Sequence, residues 1–358
     1  MLPTTQQGKL RADVVVYVPG LTGPFNQSWQ QHIQSIIKQE LAACDSLSSI
    51  LSRSSCMSTA TDSFYHQAYN LLTGSEFSDK LDAPMAAYRY NNSQLNNIET
   101  EGSWFINCDP VLIRPDRDQA VLLLPDADEL SERLSEQIIV LINNHFAEEP
   151  WQLTYVSPER WVIASAQKFN LTTTSLFDAQ GQNIDPLLPV GDDAKYWTNV
   201  LNEMQMLIHQ YNSKLQFENA SLGFNSVWLW GAGCKKPGQT TTWLKMSTDV
   251  PELVPLMSSD NQTATQLSEF SAEKNTLVVV GGLLHALRNR DFVQWATQLK
   301  KLESTVFEKL VTALKNKTVM SVKIMTDLSV YTVTAKDLSK WWRRKHSLYS
   351  FMQWNKNA

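Results

Sequence analysis

At 358 residues, 43% hydrophobic and 19% charged, the sequence is that of an ordinary globular protein with room for one large α/β domain or two modest ones. Its net charge of -5 and the absence of a long Lys/Arg patch exclude nucleic-acid backbone binding as the main task. No apolar run approaches the roughly 18 residues that span a bilayer, and the N-terminal stretch has no apolar signal core, so a cytoplasmic protein without a membrane partner is expected.

The run from Asp13 to Val18, closed by Pro19-Gly20, is continuously apolar and β-branched, as suits a strand buried on both faces. Trp29, Ile33, Ile36, Ile37 and Leu41 then line one side of a helix expected from about Asn26 to Ala43. Short helices are expected around Leu47, Ile50 and Leu51 and around Phe64 to Leu71, and the Asn-rich stretch from Tyr88 to Ile98 reads as a loop. The first hundred residues thus open an α/β core.

From Gly102 to Asp118 the sequence reads as extended. A strand from Ala120 to Leu124 and a helix from about Asp128 to His145, capped by Asp126 or Asp128, follow. Two more strands, Trp151 to Val156 and Arg160 to Ala164, complete an α+β subdomain over 101–170, inserted into a core that resumes over 171–358. In the next helix, from about Asp192 to Tyr211, Trp197, Leu201, Met204, Ile208 and Tyr211 share a face. Asn202, Gln205 and His209 form a separate stripe.

Asn225 to Gly233, with Trp228 and Trp230 before Gly231-Ala232-Gly233, reads as a central core strand ending where the backbone bends or admits a neighbour. After a polar loop with one short helix over 251–275, Leu277 to Gly282 repeats the buried strand ending in glycines. An amphipathic helix along Phe292, Trp295, Leu299, Leu302, Val306 and Leu310 and a hairpin around Thr326-Asp327-Leu328 follow. The basic, aromatic segment Trp341 to His346 reads as a C-terminal helix end. The expected fold class is α/β, with a mixed or largely parallel central sheet, helices on both faces and the inserted α+β subdomain.

Several of these segments, in this order, resemble the bacterial RpfE-type regulatory proteins: Gly102 to Pro110, Arg114-Pro115-Asp116, Leu188 to Gly191, Trp197, Leu201 to Gln205, His209, and Asn225 to Gly233. The resemblance runs from about residue 100 to the basic C-terminal segment. That family is named for a gene cluster controlling extracellular enzymes and polysaccharide. Its members are also labelled as similar to cofactor-independent phosphoglycerate mutase, which implies an alkaline-phosphatase-like core and, for such an enzyme, divalent metals.

The residues themselves do not carry the metal signature. Phosphoryl transfer on that core needs Asp and His ligands around an activated hydroxyl. Here the first strand ends in Val18-Pro19-Gly20, and Leu328 stands where the late Asp-His pair would put histidine. Gly231 to Gly238 lacks the Gly-Lys-Ser/Thr of a phosphate loop. The four cysteines are scattered, with no pair spaced for metal or disulfide.

Two polar groupings remain as candidate ligand sites. In one, Arg114 holds an anion in its guanidinium fork while Asp109 or Asp116 orients it. In the other, Gln205 and His209 face a cleft beside Asn225, Gly231 and Gly233. The same residues also suit a braced turn and a satisfied helix edge. The expected function is a cytoplasmic regulatory protein that binds a small anionic ligand or a protein partner, without cofactor or metal-dependent catalysis. The alternatives are a phosphomutase or phosphatase and an interaction scaffold using the twelve tryptophans.

Overall fold

A computed structural model describes residues 12–42, 44–59, 63–74, 82–92, 103–116, 119–126, 130–216, 222–235, 241, 243–257, 263–340 and 342–355. The chain first forms β1 (Val14–Tyr17), β2 (Phe25–Asn26), α1 (Gln30–Glu40), α2 (Asp45–Arg53), β3 (Ser55–Ser58), α3 (Phe64–Thr73) and α4 (Met85–Asn92). Next come β4 (Trp104–Asp116), β5 (Gln119–Leu123), α5 (Glu132–His145), β6 (Trp151–Ser157), β7 (Arg160–Ser165), β8 (Leu171–Thr172), α6 (Leu176–Ala179), β9 (Val190–Gly191), α7 (Ala194–Gln216) and β10 (Ser226–Gly233). Then follow β11 (Lys245–Thr248), β12 (Thr263–Gln266), β13 (Thr276–Val279), α8 (Gly282–Arg288), α9 (Phe292–Leu302), α10 (Glu308–Lys315), β14 (Ser321–Met325), β15 (Ser329–Thr334), α11 (Ala335–Leu338) and β16 (Trp354–Asn355).

The contacts divide the chain into two compact units. One comprises residues 1–62, 72–74 and 240–358, and the other comprises residues 63–71 and 75–239. The first holds a seven-stranded sheet in the order β12-β11-β13-β1-β14-β15-β3, parallel except for the β14-β15 and β15-β3 pairs. This is the expected α/β class. β1 lies between β13 and β14, and all four of its residues are buried, which is why the sequence there is a continuous run of Val and Tyr. Val14, Val16, Val278, Val322 and Ile324 share one core with Ile33 and Ile37 of α1, Leu47 and Ile50 of α2, and Trp295, Leu299 and Leu310 of α9 and α10.

α9 continues into α10 through a π-helical turn over Glu303–Phe307, which keeps the apolar face inward while turning Glu303 inward with it. The Glu303 carboxylate accepts from the backbone N–H of Ser46 (2.5 Å) and Leu47 (3.1 Å), the free donors at the start of α2. Burial raises this carboxyl above its ordinary value, against the pull of those amides. Because the folded-state value lies above the unfolded one, protonation favours folding, and the contribution fades as pH rises through the raised value. Glu303→Gln removes that titration. Unfolding midpoints measured from about pH 4 to pH 7 should therefore fall less with rising pH than in the unaltered protein.

The second unit contains a sheet in the order β10-β4-β7-β6, with β5 added to the end of β4 as a hairpin. All its pairings are antiparallel. Ile138 and Ile142 of α5 and Trp197, Met204 and Ile208 of α7 pack with Val227 and Leu229 of β10 in one core. Ala86, Ala87 and Tyr90 of α4 pack with Phe105, Val162 and Ala164 in another.

The structure departs from the sequence reading at several places, one being β12, which forms within the stretch 251–275 read as a polar loop with one short helix. The aromatic strand β10 pairs with β4 in this antiparallel sheet and not with the central parallel strands, so the second unit extends well beyond 101–170. Residues 88–92, read as loop, belong to α4, whose buried Ala86, Ala87 and Tyr90 outweigh the asparagines that follow; residues 93–98 lie outside the described set. The cap of α5 is Ser131, whose hydroxyl accepts from Leu134 N–H; Asp126 precedes the helix and Asp128 lies outside the described residues. The last α-helix among the described residues ends at Leu338. Residues 342–346 are not helical, and Trp341 is outside the described set.

Candidate functional site

The turn at the end of β10 is filled by the chain itself. A Cβ on Gly231 (φ 66°) would lie 3.1 Å from Asn107 Nδ2 and 3.2 Å from Met85 Cβ, and one on Gly233 would lie 2.6 Å from Pro84 Cβ. The glycines therefore let Pro84 and Met85 press against the strand, which is the close approach their sequence suggests. Trp230 projects on the α4 side. Its ring stacks on Tyr65 at 4.9 Å, lies under the Arg89 guanidinium at 5.1 Å, and donates through Nε1 to Asp109 Oδ2 at 2.8 Å.

Asp109 is buried and anchors this assembly. It accepts from Arg89 Nη1 at 2.6 Å, from Trp161 N–H at 3.1 Å and from the Trp230 indole. Arg114 and Asp116 lie further along the same strand, exposed beside the β4-β5 hairpin. Five residues of extended chain, about 16 Å, separate Arg114 from Asp109, so the two do not form one anion site. The cation that Asp109 binds is Arg89.

Asn225 stands just before β10 and acts as an extra rung of the ladder. Its Oδ1 accepts from Ile113 N–H (2.8 Å) and its Nδ2 donates to the Ile113 carbonyl (2.9 Å). Gln205 is half-buried and His209 exposed on α7, whose buried residues pack with Val227 and Leu229 on the β10 face opposite Trp230. Gly231 meets Asn107 and Met85 on the α4 side, so His209 and the glycine turn are not brought together.

The sequence reading missed Asp82 and Arg89. The buried Asp82 accepts from Thr173 N–H at 2.9 Å, from the Thr173 hydroxyl and from Ala232 N–H at 3.2 Å, while Gly231 N–H donates to Thr173 Oγ1 at 3.1 Å. Burial raises the Asp82 carboxyl above its usual range, against these hydrogen bonds. Two signals were readable: an arginine between Tyr88 and Tyr90, and an aspartate before Ala83-Pro84.

The first unit presents a different arrangement at the carboxyl ends of its parallel strands. The chain leaving β11 returns on its outer side as β12, while the chain leaving β13 passes β1 and returns as β14. Between β11 and β13 the connections diverge, which in α/β sheets marks the usual ligand crevice. Here Asp249, just past β11, accepts from Gly281 N–H (2.7 Å) and Gly282 N–H (3.0 Å), just past β13.

Asp249 remains exposed as a residue, yet the protein around its carboxyl raises it from the ordinary range despite the two amides. His285 of α8 is half-buried, and that burial lowers its imidazole below the usual value against the attraction of Asp249. Beyond β1 and β14, Gly20 N–H donates to Asp327 Oδ2 at 2.6 Å, and the Thr22 and Thr326 hydroxyls lie 3.4 Å apart. Both strand-end carboxylates are thus engaged in holding glycine amides. Among the described residues no three His, Cys, Asp or Glu side chains are grouped to hold a metal ion.

No protein-family model matches the chain. No curated protein matches it either. Among solved structures it is similar to a cofactor-independent phosphoglycerate mutase from Thermoplasma acidophilum, at 14% identity and a TM-score of 0.40, covering 91% of this chain and 90% of that one. It is also similar to a protein from Pyrococcus horikoshii, at 9% identity and a TM-score of 0.48, covering 91% of this chain and 88% of that one. No helix among the described residues is long and apolar enough to cross a membrane.

Proposed function

We propose that this chain is a cytoplasmic regulatory protein of the RpfE type that binds a small ligand or a protein partner without metal-dependent catalysis. The observation that argues for the last part of this reading, the lack of metal-dependent catalysis, is the state of the strand-end carboxylates. Asp249 is held by Gly281 and Gly282, and Asp327 by Gly20. A metal-assisted phosphoryl transfer needs such carboxylates turned together, with histidines, around a nucleophilic hydroxyl. The buried Thr326 hydroxyl instead donates to the Ser329 carbonyl and accepts from Ser329 N–H and from the Thr22 hydroxyl, so its hydrogen bonds are spent within the fold. Four free cysteines, two of them buried, suit a reducing compartment.

The test is turnover. Purified protein with p-nitrophenyl phosphate or 3-phosphoglycerate, in Mn²⁺ or Zn²⁺, should show no rate above the buffer blank, and elemental analysis should find no stoichiometric metal. Turnover that follows bound metal would overturn the reading in favour of a phosphomutase or phosphatase.

A further inference from the structure

Where α1 and α2 meet the C-terminal segment, the first unit carries a groove of about 480 Å³ that the strand-end site does not use. That volume falls within the range of small-molecule pockets. Gln34, Lys38 and Leu41 lie three to four residues apart on or just beyond α1 and so face the same way, with Ile37 beside them. The opposite wall is Lys345, His346 and Leu348. Ile37, Leu41 and Leu348 are buried and form an apolar floor, while Lys38, Lys345 and His346 stand exposed above it.

Against these basic groups the groove sets one carboxylate, Asp45, which pairs with Lys345. Lys38 makes no ion pair among the described residues. Two ammonium groups and an imidazole, brought from separate segments to the rim of an apolar floor, match a doubly charged head on a compact apolar body.

We propose that this groove binds a small organic phosphate, with Lys38 and Lys345 on the phosphate and the body against Ile37, Leu41 and Leu348. The basic C-terminal segment then supplies one wall of a binding site. Asp45 competes with the ligand for Lys345, so removing its charge strengthens binding.

The probe is phenylphosphonate, titrated calorimetrically into the full chain at low salt; its P–C bond makes the result independent of any phosphoester turnover. The unaltered protein should bind it, Lys38→Gln/Lys345→Gln should weaken binding at least about tenfold, and Asp45→Asn should tighten it about two- to fivefold. Exposed ion pairs contribute little to stability, so the unfolding midpoint of the lysine double variant without ligand should stay close to that of the unaltered protein. The gain in Asp45→Asn is a readout that misfolding cannot imitate. No heat of binding at about 10 mM probe, or equal affinity in the unaltered protein and the lysine variant, overturns the proposal.

Discussion

Replacing Arg89 with methionine should destabilise the second unit by about 3 to 5 kcal/mol, because it leaves the Asp109 carboxylate buried without its cation. Both side chains are withdrawn from water, at 7% and 1% exposure, and the ion pair is 2.6 Å long. Trp161 N–H and the Trp230 indole would still donate to Asp109, but neutral donors do not compensate a buried charge. Methionine keeps most of the arginine stem's volume, so the loss reports charge rather than a cavity. The second change, Arg89→Met with Asp109→Asn, removes the charge and leaves an amide oxygen for one of the two donors, and it should recover part of the loss. Urea unfolding followed by tryptophan fluorescence measures both. A loss below about 1 kcal/mol in Arg89→Met would show that the pair contributes no more than an exposed one.

That network also marks where the sequence stops being readable. The sequence reading sets Asp109 beside Arg114, its nearest cation in sequence, but the cation it binds is Arg89. A strand carries successive residues away at about 3.3 Å each, whereas a helix packed across the sheet delivers a residue from twenty positions earlier. Arg89 comes from α4, whose few apolar residues lie beside a run of asparagines and give no strong helical period. The same limit governs the aromatic strand. Its apolar run encodes burial on both faces, which holds, yet nothing in Val227 to Trp230 distinguishes an antiparallel partner, β4, from a parallel one, β1.

Where pattern and structure share one physical cause, the reading was sound. β1 and β13 are continuous apolar runs because both faces are covered. The face along Phe292 to Leu310 persists through a π-helical turn because every one of its large residues reaches the same core. The strand-end contacts of Asp249 and Asp327 had no local signature at all. Each joins a carboxylate to glycines 32 or more residues away, and each exists only once the parallel strands are side by side.

Gly20→Ala tests how tightly those strand ends are held, and it should cost on the order of 3 kcal/mol, combining left-handed backbone strain with overpacking. Gly20 sits at φ 77°, and a Cβ there would lie 2.8 Å from both the N and Cα atoms of Leu284. Those are backbone atoms inside α8, with no flexible side-chain end to move aside. The residue cannot simply rotate away, because its N–H is held by Asp327 and its carbonyl accepts from Trp295 Nε1 at 2.8 Å. Relief must come from moving α8 or from releasing these bonds, and either change disturbs the edge at which Asp249 meets Gly281 and Gly282, the start of the same helix. Trp295 is fully buried, so the variant should show a red-shifted tryptophan emission together with a lower unfolding midpoint. An unchanged spectrum with a loss below about 1 kcal/mol would mean that the edge yields freely, and that its carboxylates are not fixed in the self-held arrangement used to argue against metal-dependent catalysis.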